Sequence, residues 1–258
     1  MIKLTFPTKL HEMASNAIVD FFLLQEHTDT VLLLNSLSRG KATPESDIDI
    51  AVLATEETNQ KEIIELTNNW QDFLISNPVL INYVNSNRFT QVHLDIIDGI
   101  FKPALWEDGG AVDFFELEIG NRLLYSVPLT TEGEHFKKLK IQWLPYYDTA
   151  LRNQRLELSK KSCLYELSHI QIFIKRELYF QAFDRLYIAF QKFLQTLFIK
   201  HTTYPIAYNK WIKEQIVEIL DLPELYKELT KIISVSKIES TEINEKAKNL
   251  ENLLNQYC

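Results

Sequence analysis

The sequence predicts an α+β fold, in which a mixed sheet with flanking helices is followed by an all-helical bundle. Three observations predict it. Short apolar or alternating runs of strand type occur only before about residue 132. Apolar residues at helical spacing continue from there to the end of the chain. Pro145, Pro205 and Pro223 punctuate that second half, as proline does near helix starts. The expected division is therefore a mixed domain over 1–131 and a helical bundle over 132–258.

Taken in order, Leu10, Met13, Ala14, Ala17, Ile18, Phe21 and Leu24 recur at helical spacing, which predicts an amphipathic helix over about residues 8–26. Val31 to Leu34 is a short continuous apolar run, the mark of a strand buried on both faces. A polar loop containing Gly40 and Pro44 follows, and Asp47 to Leu53 alternates as a second strand. Residues 59–76 carry Ile63, Ile64, Leu66, Trp70, Phe73 and Leu74 on one helical side. Val79–Val84 and Arg88–Ile97 read as two further strands. In the second of these, Val92, Leu94 and Ile96 alternate with His93, Asp95 and Ile97. Beyond it, helices are expected over about 133–143, 146–177, 179–201, 208–220 and 223–234. A last one is expected over about 237–257, opened by the capping box Ser236-x-x-Glu239.

Composition narrows the function. The chain has 258 residues, 46% hydrophobic and 24% charged, with 15 Phe and 11 Tyr to build cores. Its formal net charge of −8 argues against a long nucleic acid as partner, because that binding needs a basic face. Two cysteines, Cys163 and Cys258, make neither a disulfide framework nor a zinc set. No apolar run approaches the roughly 20 residues that span a bilayer, and the N-terminal stretch lacks a signal-peptide core. The expectation is a cytoplasmic protein without membrane contact.

The chemistry lies in LLLNSLSRGKATPESDIDIAVL, residues 32–53. A strand delivers Ser36 into a loop, and Asp47-Ile48-Asp49 leaves on the next strand, with ten residues separating Ser36 from Asp47. Residues two apart on a strand point the same way, so Asp47 and Asp49 share a face while Ile48 and Ile50 enter the core. Two carboxylates held that close raise each other's pKa unless a cation stands between them. A Mg²⁺ ion meets that need, since it takes carboxylate oxygens together with substrate phosphates. The bland alternative is a pair of solvated carboxylates at a strand edge.

This segment resembles the signature of the DNA polymerase β-like nucleotidyltransferase superfamily. The likeness is strongest to small bacterial two-domain members, the aminoglycoside, lincosamide and minimal nucleotidyltransferases. Ser36, Arg39, Gly40, Ala42, Thr43, Pro44, Ser46, Asp47 and Asp49 carry it. The resemblance implies a nucleotidyltransferase fold in which Ser36 binds a terminal phosphate and Asp47 and Asp49 hold two Mg²⁺ ions. It also implies a third carboxylate on a later strand, for which Asp95 is the candidate and Asp98 the reserve. Arg39 beside the loop and Lys210 in the helical half are candidate phosphate contacts, and Trp211 a candidate base platform. For these three the ordinary alternative is a surface or core role, and for His93 a structural one.

The implied reaction moves a nucleoside monophosphate, with AMP from ATP the first expectation, onto a hydroxyl and releases pyrophosphate. The acceptor is a small molecule or a protein, and the acidic balance suits a cationic one. One residue departs from the pattern: the family has glycine where this chain has Asn35. Glycine reaches positive φ at no cost, and asparagine is among the least penalised replacements. That departure motivates the alternative of a catalytically weakened nucleotide-binding or protein-interaction module on the same scaffold. A third reading is an antitoxin-like protein that modifies a toxin partner. There is no P-loop and no HExxH, and the helical half has no Arg-x-x-x-x-His.

Overall fold

The computed structural model describes residues 5–104 and 113–258. They fall into two compact units, Met1–Phe101 with Glu118–Pro145, and Lys102–Leu117 with Tyr146–Cys258. The architecture is α+β, with a four-stranded mixed sheet in the first unit and helices alone in the bulk of the second.

The first unit opens with α1 (Lys9–Leu23), capped by the Thr8 side chain, which accepts from the His11 N–H. Strand β1 (Thr28–Leu33) leads into a single helical turn, α2 (Asn35–Ser38), and the chain returns on β2 (Ile48–Ala54). Next come α3 (Gln60–Ser76), α4 (Pro78–Ser86) and β3 (Val92–Ile97). Helix α5 (Phe115–Ile119), whose first three residues belong to the second unit, continues into a π-helical turn over Gly120–Leu124, closed by the Tyr125 N–H donating to the Gly120 carbonyl. The short β4 (Val127–Pro128) and α6 (Glu134–Trp143) complete the unit.

The sheet order is β3-β2-β1-β4, with β1 antiparallel to both β2 and β4, and β2 parallel to β3. One face carries Val31, Leu33, Ile48, Ile50 and Val52, buried against Ala14, Ile18 and Phe22 of α1, Leu66 and Trp70 of α3, and Leu80 and Tyr83 of α4. Aromatic rings dominate that core: Phe21 stacks on Phe73 at 4.4 Å, and Phe22 meets Trp70 at 5.6 Å.

The structure corrects two expectations about elements. Val79–Val84 is helical, not a strand. Its β-branched and aromatic residues suit a strand, but Asn77 caps the Val79 and Leu80 N–H groups with its side chain and Pro78 takes the first helical position. Local start chemistry outweighs the weak strand propensity of a six-residue run. The Ser236–Glu239 box does not form either. Both the N–H and the hydroxyl of Ser236 donate to Glu242, at 2.9 and 2.6 Å, and the helix begins only at Glu242.

The units part after Pro145, beyond the expected boundary at 131. Helix α6 belongs to the first unit because Asp29, just inside β1, caps it across the fold: its two oxygens accept the His135 and Phe136 N–H groups at 3.0 Å each. Gly133 makes this approach possible, since a Cβ there would stand 2.1 Å from an Asp29 oxygen.

The second unit is built on α7 (Thr149–Lys175) and α8 (Tyr179–Lys200), followed by a π-helical turn over Glu214–Ile219, α9 (Pro223–Ile233) and α10 (Glu242–Tyr257). Ile170, Ala182, Leu186, Phe193, Leu197, Ile243 and Leu250 form the fully buried centre of its core. A buried ionic cluster lies in the same unit. The Arg155 guanidinium donates to both oxygens of Glu116, at 2.5 and 2.7 Å, and to Asp113 at 2.9 Å. The Tyr147 hydroxyl and the Gln195 amide also donate to Glu116, at 2.7 and 3.1 Å. Among the described residues, no helix is long and apolar enough to cross a membrane.

Candidate active site

The antiparallel β1–β2 pair positions the motif. Leu33 stands opposite Ile50, and the Leu34 N–H donates to the Asp49 carbonyl at 2.9 Å, so the chain leaves β1 directly beside Asp49. It then turns sharply. Asn35 has φ of 55°, in the left-handed region where a glycine would be the unstrained choice. Asparagine tolerates that region better than most residues, so the substitution keeps the turn that the sequence position calls for. The Arg39 guanidinium donates to the Asn35 carbonyl at 2.8 Å, and the Ser38 hydroxyl to the same oxygen at 3.0 Å. Arg39 thus holds the loop, whatever else it meets. Ser36 is half-buried on this turn, and its carbonyl accepts the Lys41 N–H.

The residue before Asp47 is clamped from below the sheet. The Ser46 carbonyl accepts from Tyr83 Oη at 2.8 Å and from His11 Nε2 at 3.0 Å, and the two rings meet edge to face. Burial, and then the Asp47 and Asp49 carboxylates, push the Tyr83 hydroxyl pKa well up, so Tyr83 stays a neutral donor. Sequence reading had placed Tyr83 in a strand and gave His11 no role. Their signal is three-dimensional, because both reach Ser46 over more than 30 residues of chain.

Asp47 sits just ahead of β2, with Oδ1 fixed by the Gln91 N–H at 2.9 Å. Its Oδ2 lies 3.6 Å from His93 Nε2. In the parallel β2–β3 ladder, Asp49 stands opposite His93 and Ala51 opposite Asp95. Paired residues share a face, so Asp47, Asp49, His93 and Asp95 all project from the face opposite the α1–α3–α4 core. The side chain recorded beside Asp47 is His93, and Asp95, the expected third carboxylate, shares that face. Asp95 lies one step further along, 74% exposed, with Arg122 at 3.8 Å. Asp98 turns its Oδ1 to the Ile100 N–H, beyond the end of β3. Lys210 lies in the second unit, exposed, on a loop whose Ile206, Ala207 and Lys210 backbone groups are gathered by Gln215.

Residues 16–100 match the family model described as Polymerase beta, Nucleotidyltransferase. This segment is a DNA polymerase β-like nucleotidyltransferase domain. No curated protein matches the chain. The matched residues contain the whole Ser36–Asp49 constellation, Tyr83, His93 and Asp95, while Lys210 lies outside them.

Members of this superfamily work on nucleoside triphosphates with divalent metal ions, so the nucleotidyltransferase site must be tested for metal fit. Among the described residues, no group of three His, Cys, Asp or Glu side chains stands ready to cage an ion. Mg²⁺ seldom uses such a cage: it keeps several waters and binds through one or two carboxylates plus substrate phosphates. Asp47 and Asp49, adjacent on one strand face, suit an ion that arrives with a triphosphate and do not suit a resident ion held by protein alone.

Proposed function

We propose that the nucleotidyltransferase domain transfers a nucleoside monophosphate, AMP in the first instance, from a metal-bound triphosphate to a hydroxyl group. The observation that carries this reading is the hydrogen bond from the Leu34 N–H to the Asp49 carbonyl. It sets the left-handed Asn35–Ser36 turn beside the Asp47–Asp49 strand, so that a polyphosphate can lie between a hydroxyl donor and two carboxylates. Ser36 offers its O–H to the terminal phosphate. Asp47 and Asp49 would hold the divalent ion, Mg²⁺ as the reference species, which would supply positive charge to offset the negative charge of the displacement. The acceptor oxygen forms its bond to the α-phosphorus, the bond from that phosphorus to the β-bridging oxygen breaks, and pyrophosphate leaves. The acceptor's proton passes to solvent or to a carboxylate of the site. Tyr83 and His11 act on the rigidity of the site by fixing the backbone ahead of Asp47. The net charge of −8 favours a cationic acceptor, a small molecule or a protein.

A second reading, nucleotide binding without transfer, rests on one departure, Asn35 in a glycine position. The experiment that separates the readings is thermal stability with each nucleoside triphosphate, with and without Mg²⁺, on wild type and on Asp47→Ala/Asp49→Ala, followed by pyrophosphate release. A ligand at 100 times its Kd stabilises the native state by about 2.7 kcal/mol. The expected outcome is a metal-dependent shift lost in the double variant, with pyrophosphate released when an acceptor is present. A shift without any release across acceptors would favour the binding module. No shift with any nucleotide would sink both.

A further inference from the structure

The two parallel strands of the first unit run toward a second cavity, away from the Ser36–Asp49 motif. Asp47 precedes β2, whereas Thr55 follows β2 and Asp98 follows β3. The strand from Asp47 to Thr55, at about 3.3 Å per residue, sets its two ends roughly 25 Å apart. The cavity at the Thr55 and Asp98 end measures about 570 Å³, and all of its lining belongs to the first unit. Small-molecule sites commonly enclose about 300–1,000 Å³.

One wall of this cavity is polar, and its parts are fixed. His135 is only 9% exposed, and its Nδ1 stands 2.8 Å from the Ala54 carbonyl. A carbonyl only accepts, so Nδ1 carries the proton and Nε2 of the neutral ring is left as an acceptor. Among the described residues Nε2 has no hydrogen-bond partner. The ring lies against Gly99, where a Cβ would come within 2.9 Å of Nε2. With φ of 74° and no side chain, Gly99 lets the chain beyond β3 close on the imidazole. Asp98, the residue before it, accepts the Ile100 N–H through Oδ1 and keeps Oδ2 for other partners.

The rest of the lining is apolar and aromatic. Phe101 and Trp143 meet edge to face at 5.8 Å, and the buried Ile63 and Leu139 line the cavity with them. Lys138 is paired with Glu56, so the charge left over is that of the Asp98 carboxylate.

We propose that this cavity is a second ligand site, and that it takes a primary ammonium group carried on an aromatic body. An ammonium has three donors and no acceptor. Asp98 Oδ2 supplies the opposite charge and His135 Nε2 accepts a second hydrogen. The Phe101 and Trp143 rings pack on the body and attract the cation through their faces. An anion would meet a carboxylate and an unprotonated nitrogen in the same place. At the far end of β2, this ligand is out of reach of a phosphate at Asp47, so it is not the acceptor of the proposed transfer.

The test uses the full chain and three probes that share one ring: phenethylamine, phenethyl alcohol and hydrocinnamate. Methylamine serves as the cation without a body. Binding is followed by calorimetric titration and by the nitrogen NMR signals of the histidine rings, assigned to His135 through bonded correlations. The pH is kept above the ordinary histidine range, where the imidazole is neutral. Wild type should bind one equivalent of phenethylamine about tenfold or more tighter than each of the other three. The His135 Nε2 signal should move on binding while Nδ1 stays protonated. Asp98→Asn, a change at an exposed position, should weaken the amine about tenfold and leave the alcohol as it was. Asp47→Ala/Asp49→Ala should bind the amine as wild type does. Amine binding lost in that double variant would put the probe at the acidic motif and overturn the second site. No saturable amine binding, equal binding of amine and hydrocinnamate, or an unmoved His135 Nε2 would overturn it too, leaving His135 as a support for the end of β2 alone.

Discussion

The chain holds two acidic clusters in opposite ways. In the second unit Glu116 is fully buried and Asp113 is 8% exposed, and every Glu116 oxygen is engaged by Arg155, Tyr147 or Gln195. In the first unit the Asp47 side chain is 38% exposed and faces a histidine 61% exposed. Burying a carboxylate costs several kcal/mol unless hydrogen bonds and an opposite charge replace water, and the Glu116 cluster supplies both. Asp47, by contrast, stays open to solvent, as the proposed function requires of a group that meets an ion and a phosphate. The Glu116 and Asp113 charges are neutralised within the fold, while the Asp47 charge is left open to solvent.

The sharpest way to break this comparison is Arg155→Met. Removing one partner of a buried ionic group strands the others and costs about 3–5 kcal/mol, which urea unfolding at neutral pH should report. Asp47→Ala/Asp49→Ala should lower unfolding stability far less. If the two variants cost the same, the contrast between structural and functional carboxylates fails. A smaller effect is expected for Tyr83→Phe, which removes one donor from the Ser46 carbonyl while His11 keeps the other. The cost should be about 1 kcal/mol, accompanied by weaker metal–triphosphate binding because the backbone ahead of Asp47 loosens. A Tyr83→Phe variant that binds as tightly as wild type would detach the clamp from the site.

The smallest expected effect concerns pH. Burial lifts the Asp113 carboxyl above its ordinary 3.8, against the pull of Arg155 and with added repulsion from Glu116. A carboxyl raised in the folded state contributes stability that is complete below its unfolded pKa and is lost as pH rises through the folded one. The stability advantage of wild type over Asp113→Asn should therefore shrink as pH climbs from below 3.8. An advantage that grows over the same range would mean that Arg155 dominates the site.

Sequence reading reached the local features and missed those made by pairing. The strand–turn–strand placement of Ser36, Asp47 and Asp49 is legible because they belong to one continuous segment whose alternation fixes which side chains share a face. Even the left-handed backbone at Asn35 could be anticipated from the glycine it replaces. His93 could not be assigned, because its neighbour across the ladder depends on the register between two strands separated by two helices. A shift of one residue would have put Asp95's neighbours there instead. Val79–Val84 reads as a strand and folds as a helix for a related reason: six residues carry too little periodicity to overrule Asn77-Pro78. Asp29 and Gly133, which tie α6 to β1, lie more than 100 residues apart in sequence, and neither has a local signature.

The order of the segments in the second unit has a consequence during synthesis. Glu116 is made 39 residues before Arg155 and 79 before Gln195. At about 5–20 residues per second, the ribosome takes roughly 2–8 s to deliver the guanidinium. During that interval the Phe115–Ile119 segment has a charge it cannot bury, which keeps it in water until its partner emerges. A fragment cut at residue 131 would stay in that unfinished state, with Asp113 and Glu116 present and their cation missing.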